Sequence, residues 1–169
     1  AQVSEVVTRV QEGHNVHQHL DLIAGLPYED YDSFGKSFCD VYQLRPQQLQ
    51  LGFLKVLKGS FMYQAAPEYG CVCQSREPYE VLYTRWLPYD DVLRLKLVEE
   101  MVEVYYNSNQ FGKTLRAIEK LFDNPFALYE ALGAFYDKKG YMDISHTRIR
   151  RYEILQEFLQ EYVDEEQMD

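Results

Sequence analysis

The hydrophobic positions before residue 87 follow two alternating patterns. Short apolar runs bounded by turn residues predict strands, and segments with apolar residues three and four positions apart predict helices. The predicted elements are helices at 3–13, 31–44 and 61–68 and strands at 16–24, 48–60, 71–74 and 79–85. The helix–strand–helix–strand order of the first four elements predicts a βαβ unit with parallel strands.

From residue 87 onward the hydrophobic positions keep only the helical spacing, which predicts four helices. Asp90 is expected to cap the first of them, Asn124 the third, with a proline directly after it, and Ser145 the fourth. The predicted stripe of the first helix consists of Leu93, Leu97, Met101, Val104 and Tyr105. This is the pattern of an amphipathic helix.

The change of pattern predicts two domains. Residues 1–86 form an α/β part and residues 87–169 a helical domain, so the fold class is α+β overall. The first residues already have helical spacing, and no initiator Met precedes them. We therefore expect the chain to be a piece of a longer protein.

Charge and composition exclude several classes of function. The net charge of -10 and the pI near 4.9 argue against binding to nucleic acid or to an anionic membrane surface. No apolar segment approaches the roughly 20 residues that a membrane helix requires. The three cysteines are an odd number and do not indicate an oxidising compartment. We expect a cytoplasmic protein with reduced thiols.

Two groups of residues have side chains of the kind that bind metals. His17 and His19 would share one face of a strand, with His14 close by, but no cysteine or fourth ligand lies near them in the sequence. Cys71 and Cys73 are too few for an iron–sulfur cluster, which needs three or four thiolates. We expect no metal ligands in this chain, and a zinc site on the three histidines is the alternative.

The string HLDLIAGLPYED, residues 19–30, combines a strand pattern with an aspartate and an abrupt turn. Asp21 within an apolar run needs a polar surrounding, because burying an unpaired carboxylate is costly. In parallel α/β proteins ligands bind at the carboxyl ends of strands, where glycine lets them approach the backbone. Gly25 and Gly59 lie at two such ends, and the segment 77–86 either lines a pocket or forms an interface between sheet and helices.

Three strings carry a family resemblance: HLDLIAGLPYED, LRPQQLQLGFLKVLKGSFM and YGCVCQSREPYEVLYTRWLPYDDVLRLKLVEEMVEVYYNS. Together they resemble the carboxyl-terminal part of radical S-adenosylmethionine proteins that have an amino-terminal cobalamin-binding domain and a final helical domain of unknown function. Such proteins are often labelled iron–sulfur oxidoreductase or Mg-protoporphyrin IX monomethyl ester oxidative cyclase. The string DLIAGLP is also similar to that of oxygen-independent coproporphyrinogen oxidases.

The resemblance implies that residues 17–25 and 48–57 are the last strands of a partial TIM-type barrel. It implies a four-iron cluster whose Cys-x-x-x-Cys-x-x-Cys ligands are not in this chain, and cobalamin in an upstream domain. The family's usual Gly-Leu-Pro-Gly is Gly-Leu-Pro-Tyr here, so Tyr28 replaces a glycine. The residues implied to border S-adenosylmethionine are Asp21, Gly25, Leu26, Pro27, Leu54, Val56 and Gly59.

The resemblance also implies a role for the whole chain. It would form one wall of the cavity for S-adenosylmethionine and an unknown small-molecule substrate, with the helical domain as a cap, and it would be inactive alone. Its partners would be the upstream domains of the same polypeptide. An open strand edge also predicts self-association. The alternative is a helical protein-interaction module without a catalytic role.

Overall fold

Two small sheets and seven α-helices make up the part of the chain that the computed structural model describes, residues 2–13 and 15–166. The helices are α1 (Gln2–Glu12), α2 (Tyr31–Gln43), α3 (Phe61–Ala65), α4 (Tyr89–Met101), α5 (Gly112–Ile118), α6 (Pro125–Lys139) and α7 (Arg148–Glu166). The strands are β1 (His19–Ala24), β2 (Gln48–Phe53), β3 (Val72–Cys73) and β4 (Val81–Tyr83). The predicted α+β class is confirmed.

Two irregular helical turns extend this framework. A π-helical turn, Val102–Asn107, continues α4, and a 3₁₀ turn, Glu119–Leu121, continues α5. None of the described helices is long and apolar enough to cross a membrane.

The β1–α2–β2 unit confirms the predicted parallel pairing. Each residue of β1 has a partner in β2, from His19 opposite Gln48 to Ala24 opposite Phe53. The second strand is shorter than expected, because the residues after Phe53 pair with the segment around β4 instead. In the described residues each sheet has two strands and no barrel closes, so the place of β1 and β2 in a barrel stays a prediction.

Of the three capping residues predicted from the sequence, the structure confirms one. The side chain of Asn124 accepts a hydrogen bond from the backbone three residues later, which confirms it as the cap of α6. The prediction for Asp90 is wrong, because Pro88 precedes the helix and Asp90 lies in its first turn. The prediction for Ser145 is also wrong, because α7 begins after Thr147, whose hydroxyl accepts a backbone hydrogen bond from the first turn.

The buried face of α4 differs from the predicted stripe. Leu93 is 42% exposed and Leu97 is half-buried. The helix packs on α6 and also on β2 and β4, so it is covered on more than one side and a single stripe cannot describe it. Its buried residues are Val92, Leu95, Val98 and Met101.

One hydrophobic cluster contains residues from both sides of position 87. Phe38 of α2 and Leu51 of β2 share it with Tyr129 of α6 and Phe158 of α7. The division into two domains stays a prediction. The core nevertheless couples the parallel strands to the helices, which fixes the helix layer on one face of the sheet.

Candidate functional site

The carboxyl ends of β1 and β2 form the candidate site. Ala24 and Phe53 are the last paired residues, and the N–H of Leu54 then donates to the carbonyl of Ala24 at 2.9 Å. Because the strands are parallel, the turn after β1 and the segment after β2 lie side by side. Ligands of parallel α/β proteins bind at such a position.

The turn after β1 is built on a glycine that no other residue can replace without displacement. Gly25 has φ +86, and a Cβ there would lie 2.7 Å from a methyl carbon of Val81. The N–H of Glu29 closes the turn by donating to the carbonyl of Leu26 at 3.3 Å. Leu26 is 40% exposed and Pro27 is half-buried, so this turn presents apolar side chains, while Gly25 itself is buried.

The three predicted residues after β2 are unequally accessible. Leu54 is half-buried and its carbonyl accepts from the N–H of Val81 at 2.8 Å. Val56 is 1% exposed, so its side chain belongs to the core. Gly59 is exposed, with φ +83 and open space where a Cβ would stand. Gly25 and Leu54 are thus brought together, while Val56 and Gly59 follow further along the chain.

Asp21 lies on the face of the sheet that the helices do not cover. It is exposed, it stands opposite Gln50, and no hydrogen bond or ion pair to its side chain is present among the described residues. His19 and Ile23 are exposed on the same face, whereas Leu49 and the other inward residues of β2 are buried. The carboxylate therefore needs no buried partner here, and its place beside a cofactor stays a prediction.

At the outer edge of β2, the backbone of Leu49 is paired with a side chain that the sequence analysis missed. The N–H of Leu49 donates to Oδ1 of Asn107 at 3.0 Å, and Nδ2 of Asn107 donates to the carbonyl of Leu49 at 2.9 Å. The amide thus replaces one residue of a neighbouring strand. Its position depends on the π-helical turn, for which no simple sequence signal exists.

An aromatic cluster follows the turn after β1. The ring of Tyr28 lies 4.6 Å from that of Trp86 and 5.8 Å from that of Tyr69, measured between centroids. Arg85 places its guanidinium carbon 5.7 Å from the centroid of Trp86. The sequence pattern marked Arg85 and Trp86 as candidates for a pocket or an interface, and the structure brings them to the candidate site.

The histidines and cysteines form no metal site in the described residues. His17 and His19 are exposed with ring centroids 4.7 Å apart, and His14 lies outside the described part of the chain. No group of three metal-binding side chains occurs among the described residues. Burial, followed by the charge of Cys73, raises the pKa of the Cys71 thiol. A raised pKa disfavours the thiolate form that binds metals.

Two carboxylates near the sheet have raised pKa values. Burial raises the pKa of Glu29, against the effect of a hydrogen bond from Ser37. Burial also raises the pKa of Glu99, which lies close to the ion pair of Lys96 with Glu80. The site thus offers exposed apolar side chains, a polar strand face and aromatic rings, an arrangement that can bind a ligand.

These features define a class: an α+β protein with a short parallel sheet, a helix layer on one face of it and a glycine turn at the end of its first strand. The chain belongs to the family described as protein of unknown function (DUF4080), whose family model matches residues 67–169, more than half of the chain. The matched part includes Tyr69 and Trp86. No match is found among curated proteins.

Proposed function

We propose that this chain is the carboxyl-terminal portion of a radical S-adenosylmethionine oxidoreductase. It supplies the last two strands of a parallel barrel and a helical cap over the cavity for S-adenosylmethionine and substrate. Two facts support the proposal: DUF4080 domains are often found in cobalamin-binding radical S-adenosylmethionine proteins, and the strings around Gly25 and Gly59 resemble the end of such a barrel.

The observation that carries the proposal is the asymmetry of the β1–β2 sheet. Helices cover one face, and the other face carries exposed polar residues such as Asp21 and Gln50. At the far edge of β2, Asn107 pairs with the backbone of Leu49, while no described hydrogen bond reaches the far edge of β1. Strands at the end of a barrel need helices outside, polar residues toward the cavity and one free edge for the preceding strand.

The residues of this chain fit S-adenosylmethionine better than they fit an iron–sulfur cluster. Gly59, exposed and with positive φ, leaves room for a nucleoside such as S-adenosylmethionine to approach the backbone, whereas Gly25 is buried and Val81 fills the space beside it. The cysteines do not fit a cluster: Cys71 is buried, and Cys39 of α2 donates to the side chain of Asn124 at 3.5 Å. The cluster ligands would come from another part of the full-length protein, and no residue here is assigned to cobalamin.

This chain's contribution would be binding and shielding. The cofactor, when bound to its cluster, supplies a radical that removes a hydrogen atom from the substrate. Asp21 and Gln50 can form hydrogen bonds to polar groups in the cavity. Leu26 and Tyr28, both exposed at the strand end, can exclude water from it.

The test uses the complete reading frame, expressed and reconstituted without oxygen. We expect iron in the protein and release of deoxyadenosine from S-adenosylmethionine, and neither from the 169-residue chain alone. Asp21→Asn should reduce deoxyadenosine release, while Asp137→Asn on the exposed side of α6 should not. A complete frame without iron and without release would overturn the proposal.

An interaction module is the second candidate, and exposed apolar residues on the helices favour it. Leu93, Leu121 and Ile149 are 42%, 51% and 73% exposed. Polar substitution of these three residues in the complete protein separates the two functions. Loss of a protein partner with unchanged deoxyadenosine release would establish the module.

A further inference from the structure

Tyr28 combines two features that each disfavour a tyrosine. Its φ is +69, a conformation that suits glycine and strains a bulky residue. The residue as a whole is 73% exposed, so burial offsets little of that strain. A mostly exposed ring held in a strained turn therefore contributes little to the stability of the chain by itself. Strained residues of this kind cluster at ligand-binding positions.

The ring of Tyr28 belongs to a group of three. The centroids of Tyr69 and Trp86 are 6.2 Å apart, and Tyr28 lies against both, at 5.8 Å and 4.6 Å. These distances leave no room for a ligand between the rings. The group is therefore a packed shelf whose free surface is the exposed side of Tyr28.

A cation stands at the edge of this aromatic shelf. Arg85 donates one N–H, from Nη2, to the backbone carbonyl of Glu68 at 2.8 Å. Its other donors have no carboxylate partner among the described residues. A guanidinium near Trp86 without a carboxylate partner among the described residues has donors left to bind an anion.

We propose that the aromatic shelf of Tyr28, Tyr69 and Trp86 binds the planar ring of a ligand that carries an anionic group, and that Arg85 binds that group. Tyr28 lies in the turn that begins at Gly25, so the shelf adjoins the strand end of the candidate site. The identification of this ligand as the substrate rests on the proposed function. The binding itself is a property of this chain alone.

Trp86 makes the proposal directly measurable, because it is the only tryptophan in the sequence. In the ¹⁵N-labelled chain its indole N–H gives a single signal, which we would follow during titration with 2-naphthoate, a planar aromatic anion. We expect a saturable shift. Cyclohexanecarboxylate, which has the charge without the planar ring, and 2-naphthalenemethanol, which has the ring without the charge, should bind about tenfold more weakly.

The variants separate ligand binding from folding. Tyr28→Gly should raise the midpoint of thermal unfolding, because it relieves the backbone strain, and should weaken 2-naphthoate binding about tenfold. Tyr28→Phe keeps the ring and should bind normally. Arg85→Gln should lower the affinity for 2-naphthoate to that for the uncharged ring. Tyr63→Ala, an exposed tyrosine outside the shelf, is the matched control and should change nothing.

The absence of a saturable indole shift with 2-naphthoate would overturn the proposal. Equal affinity in the wild-type chain and Tyr28→Gly would do the same. Neither result bears on the proposed function, which is tested by iron and deoxyadenosine in the complete protein. Conversely, a complete protein without a cluster would leave the titration result intact.

Discussion

Buried tyrosine hydroxyls are held in place by a carboxylate at the contact between α2 and the helical region. The hydroxyl of Tyr42 donates to Glu119 and lies 3.4 Å from that of Tyr129. Arg45 forms two hydrogen bonds to the same carboxylate, at 3.1 Å and 2.7 Å. Burial raises the pKa of Tyr106, which packs on Tyr42, to about 12. These rings therefore stay neutral at physiological pH and act as uncharged donors.

Glu119 should make stability depend on pH in the acid range. Burial raises its pKa, but the hydrogen bonds from Arg45 and Tyr42 outweigh burial and hold the pKa below its ordinary value. A lowered pKa stabilises the fold at pH values above the unfolded value, and this contribution is lost as the pH falls through the folded value. Glu119→Gln should cost about 1–3 kcal/mol at pH 7 and make the free energy of unfolding less dependent on pH below about 4.5.

Urea unfolding at pH 7 and at several acid values measures both effects. The matched control is Glu153→Gln on α7, whose carboxylate pairs with Arg150 but is 56% exposed. A surface pair of this kind contributes about 0–1 kcal/mol, so the control should lie near the wild type. Equal losses in the two variants would show that the Glu119 network does not hold α2 in place.

At the scale of secondary-structure elements, the close approach of α4 and α6 depends on a glycine. A Cβ on Gly133 would lie 2.9 Å from the Cβ of Leu97 and 3.1 Å from its backbone carbon. Backbone cannot move away as a flexible side chain can. The two helices therefore cross where α6 has no side chain.

Gly133→Ala should force α4 and α6 apart and destabilise the chain by about 1–3 kcal/mol, the usual cost of overpacking. Gly112→Ala at the start of α5 is the control, because nothing lies within 4 Å of its added Cβ. The control should be neutral or slightly stabilising. Thermal unfolding of the two variants checks the prediction, and a neutral Gly133→Ala would contradict the close packing.

The π-helical turn also connects two secondary-structure elements. It carries Asn107 to the edge of β2, where the amide satisfies both backbone groups of Leu49. Leu49 is fully buried, so water cannot easily replace the amide. The turn therefore joins the helical region to the sheet through hydrogen bonds in addition to apolar contacts.

Asn107→Ala should leave the N–H and the carbonyl of Leu49 unpaired and cost roughly 1–3 kcal/mol. The backbone amide of Leu49 itself should exchange its hydrogen faster than in the wild type. Gln110→Ala, which removes an exposed side chain just after the same turn, should leave stability and exchange unchanged. Unaltered exchange at Leu49 in Asn107→Ala would rule out the proposed closure of the edge.

For the whole molecule, the decisive feature is the difference between the two edges of the parallel sheet: Asn107 pairs with Leu49 at the edge of β2, whereas no hydrogen bond among the described residues reaches the edge of β1. The carbonyls of Gln18 and Ala24 accept hydrogen bonds from Gln48 and from Leu54, which directly follows β2. By the alternation of a parallel ladder, Asp21 therefore presents its backbone groups to the other edge. Such an edge pairs readily with another strand. In the proposed full-length protein that strand belongs to the same polypeptide.

The chain alone should therefore self-associate through β1. Asp21→Pro removes a backbone donor at the open edge without removing a bond to β2, and it should raise the dissociation constant of the association about tenfold. Sedimentation velocity over a range of concentrations measures this. Asp21→Ala removes the same carboxylate and should associate like the wild type. A chain that stays monomeric throughout would show that β1 is protected in another way.

The sequence by itself determined what depends on neighbouring residues. Asn124 followed by Pro125 starts α6, and the apolar runs on either side of α2 become parallel strands, because capping and hydrophobic periodicity act over a few positions. Gly25 was recognisable for the same reason, as a glycine at the end of an apolar strand. The order of these elements was enough to predict the α+β class.

Only the tertiary structure decided which faces are covered and which side chains meet. The buried side of α4, the exposure of Asp21, and the meeting of Tyr28 with Trp86 all depend on contacts between elements distant in the sequence. Asn107 reaches Leu49 across 58 positions. Such contacts follow from packing the whole chain at once, and no local pattern specifies them.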